Sequence, residues 1–329
     1  MLRRTVWQAT LLAPLLTTAL FAWAPAAWAQ SYPQRPVRLV VGFPPGTGPD
    51  IVARALGQRL AETLKQSVVI DNVAGAGGQI AAQQVAKSAP DGHTLLLGEV
   101  GSISIAPATH RKLPYQPAKE LTPVSEVVRA DFVLVVPAAS PHADVASLVG
   151  AARADKNKFN FATFGAGTPG HFGAEMFARQ AGFAIEPVHF RATGDAMSAL
   201  LNGSVQAAFV STALAAAQVK AGKLRALGTT AAQRSALLPQ VPTLAEAGWP
   251  ELNFSAWFAV LAPAGTAPAV LDTLNREVVA ALQTPAVRKS LEEAGFTVRG
   301  TSRLEAQALM DAEARRWAAV VQATGFQID

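Results

Sequence analysis

Three stretches of the chain mix glycine, small residues and proline in the way that leaves backbone N–H groups free just ahead of a helix. They are residues 42–48 (GFPPGTG), 72–78 (NVAGAGG) and 164–170 (FGAGTPG). Such N–H groups, reinforced by the positive end of a helix dipole, hold a carboxylate or phosphate without a cationic side chain. Glycine also serves plain tight turns and helix starts. One such loop says little, but three in one chain favour anion capture.

Sharper chemistries fit less well. The first stretch has a strand, Gly46-x-Gly48, a helix, and then Asp71 where a ribose-binding acid of a dinucleotide site would sit. Pro44-Pro45 intrude before the first glycine, and Ile51 fills the third glycine position. The second stretch fails at the same place with Ile80. A nucleotide-cofactor enzyme is therefore disfavoured. No Gly-Lys-Ser/Thr follows either loop, and neither a Gly-x-Ser-x-Gly elbow nor a His-Glu-x-x-His pair occurs. The five histidines lack metal-ligand spacing, and the absence of cysteine removes thiol nucleophiles, disulfides and cysteine metal sites. No catalytic set, metal or cofactor is expected. His171 and Glu175, at i,i+4, share a helix face, either as a polar handle or as an N-terminal helical histidine beside a solvated glutamate.

The elements around these loops alternate. Strands are expected at 38–42, 68–70 and 94–98, with helices at 51–64 and 79–87. Ile51, Ala55, Leu56, Leu60 and Leu64 would form the buried side of the first helix. The plan reappears as a strand at 159–163, a glycine loop, a helix at 171–180 and a strand at 185–190. This is α/β with mostly parallel strands and suggests two lobes, linked by the β-prone stretches 132–137 and 256–262. Helices at the C-terminal end would close the first lobe. There, Ser302 and Glu305 make a capping box, and Leu304, Leu309, Trp317 and Val320 read as packing.

Residues 1–29 read as a secretory signal: Arg3 and Arg4, an apolar stretch, then Ala27-Trp28-Ala29 before the cleavage point. The remaining chain would be periplasmic. Losing Arg3 and Arg4 from 28 basic residues, against 23 acidic ones, leaves a net charge near +3. That mild excess, without basic runs and with two tyrosines, makes nucleic acid an improbable partner. No later apolar segment reaches the roughly 20 residues needed to cross a bilayer.

A specific resemblance runs along nearly the whole exported chain. The segments GFPPG (42–46), DIVAR (50–54), AGAGG (74–78), APDGHTLL (89–96), KLPY (112–115), VKAGKLRAL (219–227) and LAPAGT (261–266) resemble the Bug-type solute-binding proteins. These are periplasmic receptors of tripartite tricarboxylate transporters. The resemblance implies a two-lobed Venus-flytrap fold, with 30–132 and 254–329 as one lobe and 133–253 as the other. It implies a small organic carboxylate held between the lobes and delivered to membrane permease subunits. A receptor of the same fold that signals to a sensor kinase is the alternative.

Carried over from the family, the first-lobe contacts are Phe43, Pro45, Gly46, Thr47, Ala76, Gly77, Gly78 and Ser102. Those of the second lobe are Thr163, Gly165, Thr168, His171, Arg191 and Thr193. This chain departs from the family pattern at Glu99-Val100, at Ile105, at Phe190-Arg191-Ala192 and at Val210-Ser211. The acid often found near position 210 would pair with a ligand amine. Its loss points to a more apolar distal pocket, suited to a monocarboxylate or aromatic carboxylate. Arg191 would reach the ligand's distal end, pair with Glu99 as a latch, or lie solvated at the surface.

Overall fold

The computed structural model describes residues 32–155, 159–190 and 192–328. The expected leader at 1–29 and the expected ligand contact Arg191 lie outside the described residues. Apolar, β-branched runs set the strands, and the stretches between them wind into helices. The first part of the chain gives β1 (Val37–Val41), α1 (Gly48–Leu64), β2 (Val68–Asn72), α2 (Gln79–Ala86) and β3 (Thr94–Glu99). Two short helices, α3 (Ala106–Thr109) and α4 (Pro117–Glu120), lead to the long strand β4 (Leu121–Pro137).

The middle part gives α5 (Val145–Ala154), β5 (Phe159–Thr163), α6 (Pro169–Ala181), β6 (Ile185–His189) and α7 (Thr193–Leu201). It continues with β7 (Ala207–Ser211), α8 (Thr212–Lys220) and β8 (Leu224–Thr229). The chain returns through β9 (Ser255–Pro263), α9 (Pro268–Gln283), α10 (Pro285–Glu293), β10 (Thr297–Val298) and α11 (Arg303–Thr324).

β4 joins two mixed sheets. Its residues 121–131 pair with β9, and residues 132–137 pair with β7 and β8. Among the described strands, parallel pairing is confined to β2-β1-β3 on one side and β6-β5-β7 on the other, where helices make the crossovers. Every pairing of β4 and β9 is antiparallel, so the sheets are more evenly mixed than the sequence reading expected. β9 stays with the first sheet, and β4 alone of the two stretches read as links runs through both.

Strand alternation divides the core. Val37, Leu39 and Val41 of β1 pack with α1, α9 and α10, while Val40 faces the opposite cluster. That opposite cluster is continuous across both lobes. It holds Trp257 and Trp317 beside Phe161, Phe172, Phe177, Phe209 and Phe254. Trp317 is fully buried, its indole N–H donates to Glu313 at 2.8 Å, and its ring centroid lies 6.0 Å from that of Phe172.

Two packing expectations are corrected. Ile51 is 39% exposed, because the buried stripe of α1 runs through Val52, Ala53, Leu56, Leu60 and Leu64. Leu304 is 80% exposed, because the buried stripe of α11 runs through Ala306, Met310, Trp317 and Val321. The capping box of Ser302 and Glu305 is present.

Candidate functional site

Three loops at the C-terminal ends of β1, β2 and β3 converge, as expected for ligand sites on parallel strands. The first is folded by its own acid. The Gly46 N–H donates to Asp50 Oδ2 at 2.9 Å, and Asn72 Nδ2 donates to both Asp50 Oδ1 and the Phe43 carbonyl at 3.0 Å. Arg54 binds the same Asp50 at 2.8 Å and holds its carboxyl down to about 2. Thr47 stands at the N-cap position of α1 with extended backbone but makes no side-chain cap; its hydroxyl instead donates to the Pro44 carbonyl at 2.7 Å. Pro45 and Gly46 form the exposed tip. Asp71, the ribose-acid candidate, is instead paired with Arg38 at 3.0 Å.

The second loop touches the first backbone to backbone: a Cβ on Gly42 would lie 2.5 Å from the Gly78 Cα. Gly75, Ala76, Gly77 and Gly78 all have positive φ, +47° for the non-glycine Ala76. A strained backbone of this kind persists where the surroundings hold it. Ala76 and Gly77 open a single 3-10 turn ahead of α2. At that position their N–H groups have no acceptor within the turn.

The third loop follows β3. Glu99 is half-buried, and its carboxylate folds over Gly101 and accepts the backbone N–H groups of Gly101 and Ser102. Burial pushes the acid up to about 7 against those two hydrogen bonds. Ser102 is buried, its hydroxyl donating to the Glu99 carbonyl at 3.2 Å.

In the second lobe the loop before α6 is braced from below. Thr168 caps α6 by accepting the His171 N–H at 3.3 Å, and its hydroxyl donates to the Gly165 carbonyl at 2.8 Å. The Gly167 N–H donates to His171 Nδ1 at 3.1 Å. His171 is buried, and burial, with His189 beside it, pushes its pKa down to about 4. Thr163 and His189 are register partners in β5 and β6, with Oγ1 and Nδ1 2.6 Å apart. Thr163 and His171 therefore sit beneath the loop, and Thr193 is exposed at the start of α7.

Between these walls lies a cavity of about 380 Å³. Phe43, Ala76, Gly77 and Thr168 line it among the residues expected from sequence, and Gly78 and Ser102 back its first wall. Gln79, Glu99, Ile105, His110 and Ile328 also line it. The last two arrive by a contact between distant parts of the chain. Ile328 pairs with His110, its N–H donating to the Thr109 carbonyl at 2.8 Å, and Phe326 stacks edge-on against His171. No local pattern announces that pairing. Glu99 was visible in the sequence as an unusual residue at a strand end.

A larger groove of about 440 Å³ lies between β4, residues 231–237 and the α10–β10 turn. Its arginines are already engaged: Arg129 with Glu126, Arg234 with Glu246 and Arg288 with Glu292. The smaller cleft, lined by residues of the glycine loops, is the better candidate. Among the described residues no cluster of His, Asp or Glu could hold a metal ion, and no helix is long and apolar enough to cross a membrane.

Residues 52–326 match the family model described as the tripartite tricarboxylate transporter family receptor, TctC. The chain belongs to this receptor family. Protein BugT of Bordetella pertussis is 36% identical over 301 residues, covering 91% of this chain and 92% of that protein. A Rhodopseudomonas palustris protein solved with adipate superposes with a TM-score of 0.78 at 33% identity, covering 90% of this chain and 99% of the other. MatC of R. palustris, solved with malate, gives 0.74 at 33% identity, covering 88% and 100%. The chain thus has the two-lobed α/β fold of periplasmic solute-binding proteins, and family and fold are those of substrate-binding proteins.

One expectation drawn from the family pattern is corrected. Val210 is buried in the core cluster of β7, α7 and α8, so its side chain does not line the cleft and says nothing about the ligand. Among the described lining residues of the candidate cleft, the acid is Glu99.

Proposed function

We propose that this receptor captures one small organic carboxylate between its lobes and presents it to membrane permease subunits of a tripartite tricarboxylate-type transporter. One observation carries the reading. Ala76 and Gly77, in the turn ahead of α2, have N–H groups with no acceptor within that turn and line the same cavity as Thr168 and Pro169 at the N-terminus of α6. Backbone N–H groups left free ahead of a helix, in a small cleft, attract an anion without a cationic side chain. The ligands of the R. palustris relatives, malate and adipate, are carboxylates, which supports that choice of anion.

In this reading Phe43, Ala76, Gly77 and Gly78 hold the carboxylate, Thr168 faces it, and Thr163, Gly165 and His171 keep the opposing loop in shape. The lobes divide at 132/133 and 253/254, a division supported by β4, which changes partners after Asp131. Export with cleavage after Ala29 places the receptor in the periplasm. A thermal-shift and calorimetric screen of small carboxylates tests the reading, since a ligand that binds only the folded state raises the melting temperature. Gly77→Val is expected to abolish binding: Gly77 has φ +60°, and the space where its Cβ would project is empty, open to the ligand. A carboxylate bound equally well by Gly77→Val would overturn it.

A further inference from the structure

The cleft that receives an anion already contains one. Glu99 ends β3, and its carboxylate folds back onto the N–H groups of Gly101 and Ser102 while lining the same cavity as Gly77 and Thr168. Among the described lining residues there is no lysine or arginine, and His110 is the other titratable group. An arriving carboxylate therefore meets a like charge in a cavity of about 380 Å³ whose described lining carries no permanent counter-charge. Two carboxylates sharing such a space do not both stay ionised.

We propose that Glu99 couples ligand capture to proton uptake, so that a carboxylate enters with one proton bound at Glu99 and monocarboxylates are selected over dicarboxylates. This rests on the carboxylate reading above. The balance is simple: ionised Glu99, one proton from solvent and one ligand anion give neutral Glu99 with the anion bound, and no covalent bond changes. The protonated acid keeps one oxygen for the backbone N–H groups and gains an O–H donor for the ligand. A dicarboxylate brings a second charge that this one proton does not neutralise.

The surroundings agree. Beneath the turn, the Tyr115 hydroxyl donates to the Ser102 carbonyl at 2.7 Å. On α3, the His110 ring is fixed beside Thr109 Oγ1 at 3.1 Å and the Ala106 carbonyl at 3.2 Å, with its Nε2 3.4 Å from Gln79 Nε2. α11 packs on the same turn, and its Glu313 is engaged by Trp317 and Arg316. Across the cleft, His171 lies behind Gly167, held neutral by burial. Burial alone already makes Glu99 a weak acid, with a pKa pushed up to about 7.

The test is calorimetry on the whole protein, at about pH 6 and pH 8 and in two buffers of different ionisation enthalpy, which counts the protons taken up. The probes are the straight-chain monocarboxylates from acetate to octanoate, with benzoate, succinate, adipate and 6-aminohexanoate. The tightest-binding monocarboxylate should take up close to one proton near pH 8 and weaken about tenfold per pH unit above 7. Adipate should bind more weakly than hexanoate, and Glu99→Gln should lose both the proton uptake and the pH dependence. The proton count is read on the unaltered protein, so it stands even if that variant folds poorly. Monocarboxylate binding without proton uptake would overturn the proposal and leave the carboxylate reading intact. So would tight binding of 6-aminohexanoate that Glu99→Gln abolishes, because Glu99 would then be a counter-ion for a ligand cation. Failure of every probe to bind near pH 6 would overturn the carboxylate reading itself.

Discussion

Gly77 and Gly167 both have positive φ in loops that feed a helix, yet the two walls they belong to are built differently. Gly77 is exposed, and nothing lies within 4 Å of where its Cβ would be. Gly167 gives its N–H to His171 and lies against Phe326 and Ile328, so a Cβ there would sit 3.3 Å from Ile328. The first wall spends little of its hydrogen-bonding capacity on itself at Ala76 and Gly77. The second is satisfied from within by Thr168 and His171. Glycine loops that look alike in sequence thus divide the work: one supplies donors, and the other supplies a rigid face that the first can close upon.

The titratable groups of the two walls differ in the same way. Burial pushes Glu99 up to about 7 and His171 down to about 4, so each favours its neutral form. Their effects on stability have opposite signs.

The largest effect should fall on ligand binding. Gly77→Val should lose at least about 100-fold in affinity while costing no more than about 2 kcal/mol of stability, since the penalty is one residue in left-handed backbone. Calorimetry and thermal melts on the same sample separate the two.

His171→Phe should cost about 1–3 kcal/mol at neutral pH, because the Gly167 N–H loses its acceptor. It should also remove an acid sensitivity. The unfolded chain protonates His171 below about 6.5 while the folded state resists to about 4, so this group's share of stability falls as pH drops through that window. The loss reaches about 3 kcal/mol at its limit.

Glu99 works the other way. Its folded pKa of about 7 exceeds the ordinary 4.5, so the stability it contributes is present in acid and is lost as pH rises from 4.5 to 7. Glu99→Gln should therefore stabilise the ligand-free protein at pH 8 by about 1–3 kcal/mol. Between about pH 4.5 and 6.5 the two slopes oppose each other in the unaltered protein. Melts of the single variants should unmask them, Glu99→Gln losing stability toward acid and His171→Phe losing it toward neutral pH. The smallest effect is expected from Thr168→Ala, which removes the cap of α6 and should cost about 1 kcal/mol by denaturant titration.

Much of this was legible in the residues. β1, β2, β3 and β5 fall within one or two residues of where β-branched runs placed them, because strand periodicity is local. The glycine loops and the capping box were likewise visible, since their chemistry is written over four to seven neighbouring positions. The face of a helix was less secure: the buried stripe of α1 runs through Val52, Leu56, Leu60 and Leu64 and leaves Ile51 at its solvent edge. Parity along β7 would have put Val210 with Ala208 in the core cluster opposite Phe209. The contacts of His110 with Ile328 and of Phe326 with His171 had no local signature, because they depend on how α11 lies across the first lobe and reaches α6. Glu99 stood out as an unusual residue, but its burial and its hold on Gly101 and Ser102 are properties of the folded turn.

The most direct test of the comparison between the walls is a crystal structure of the receptor with its tightest-binding carboxylate. The account predicts carboxylate oxygens within hydrogen-bonding distance of the Ala76 and Gly77 N–H groups, with the Gly167 N–H still donating to His171. A ligand whose carboxylate instead lies on Gly167, with the His171 bond broken and the amides of Ala76 and Gly77 left bare, would contradict it.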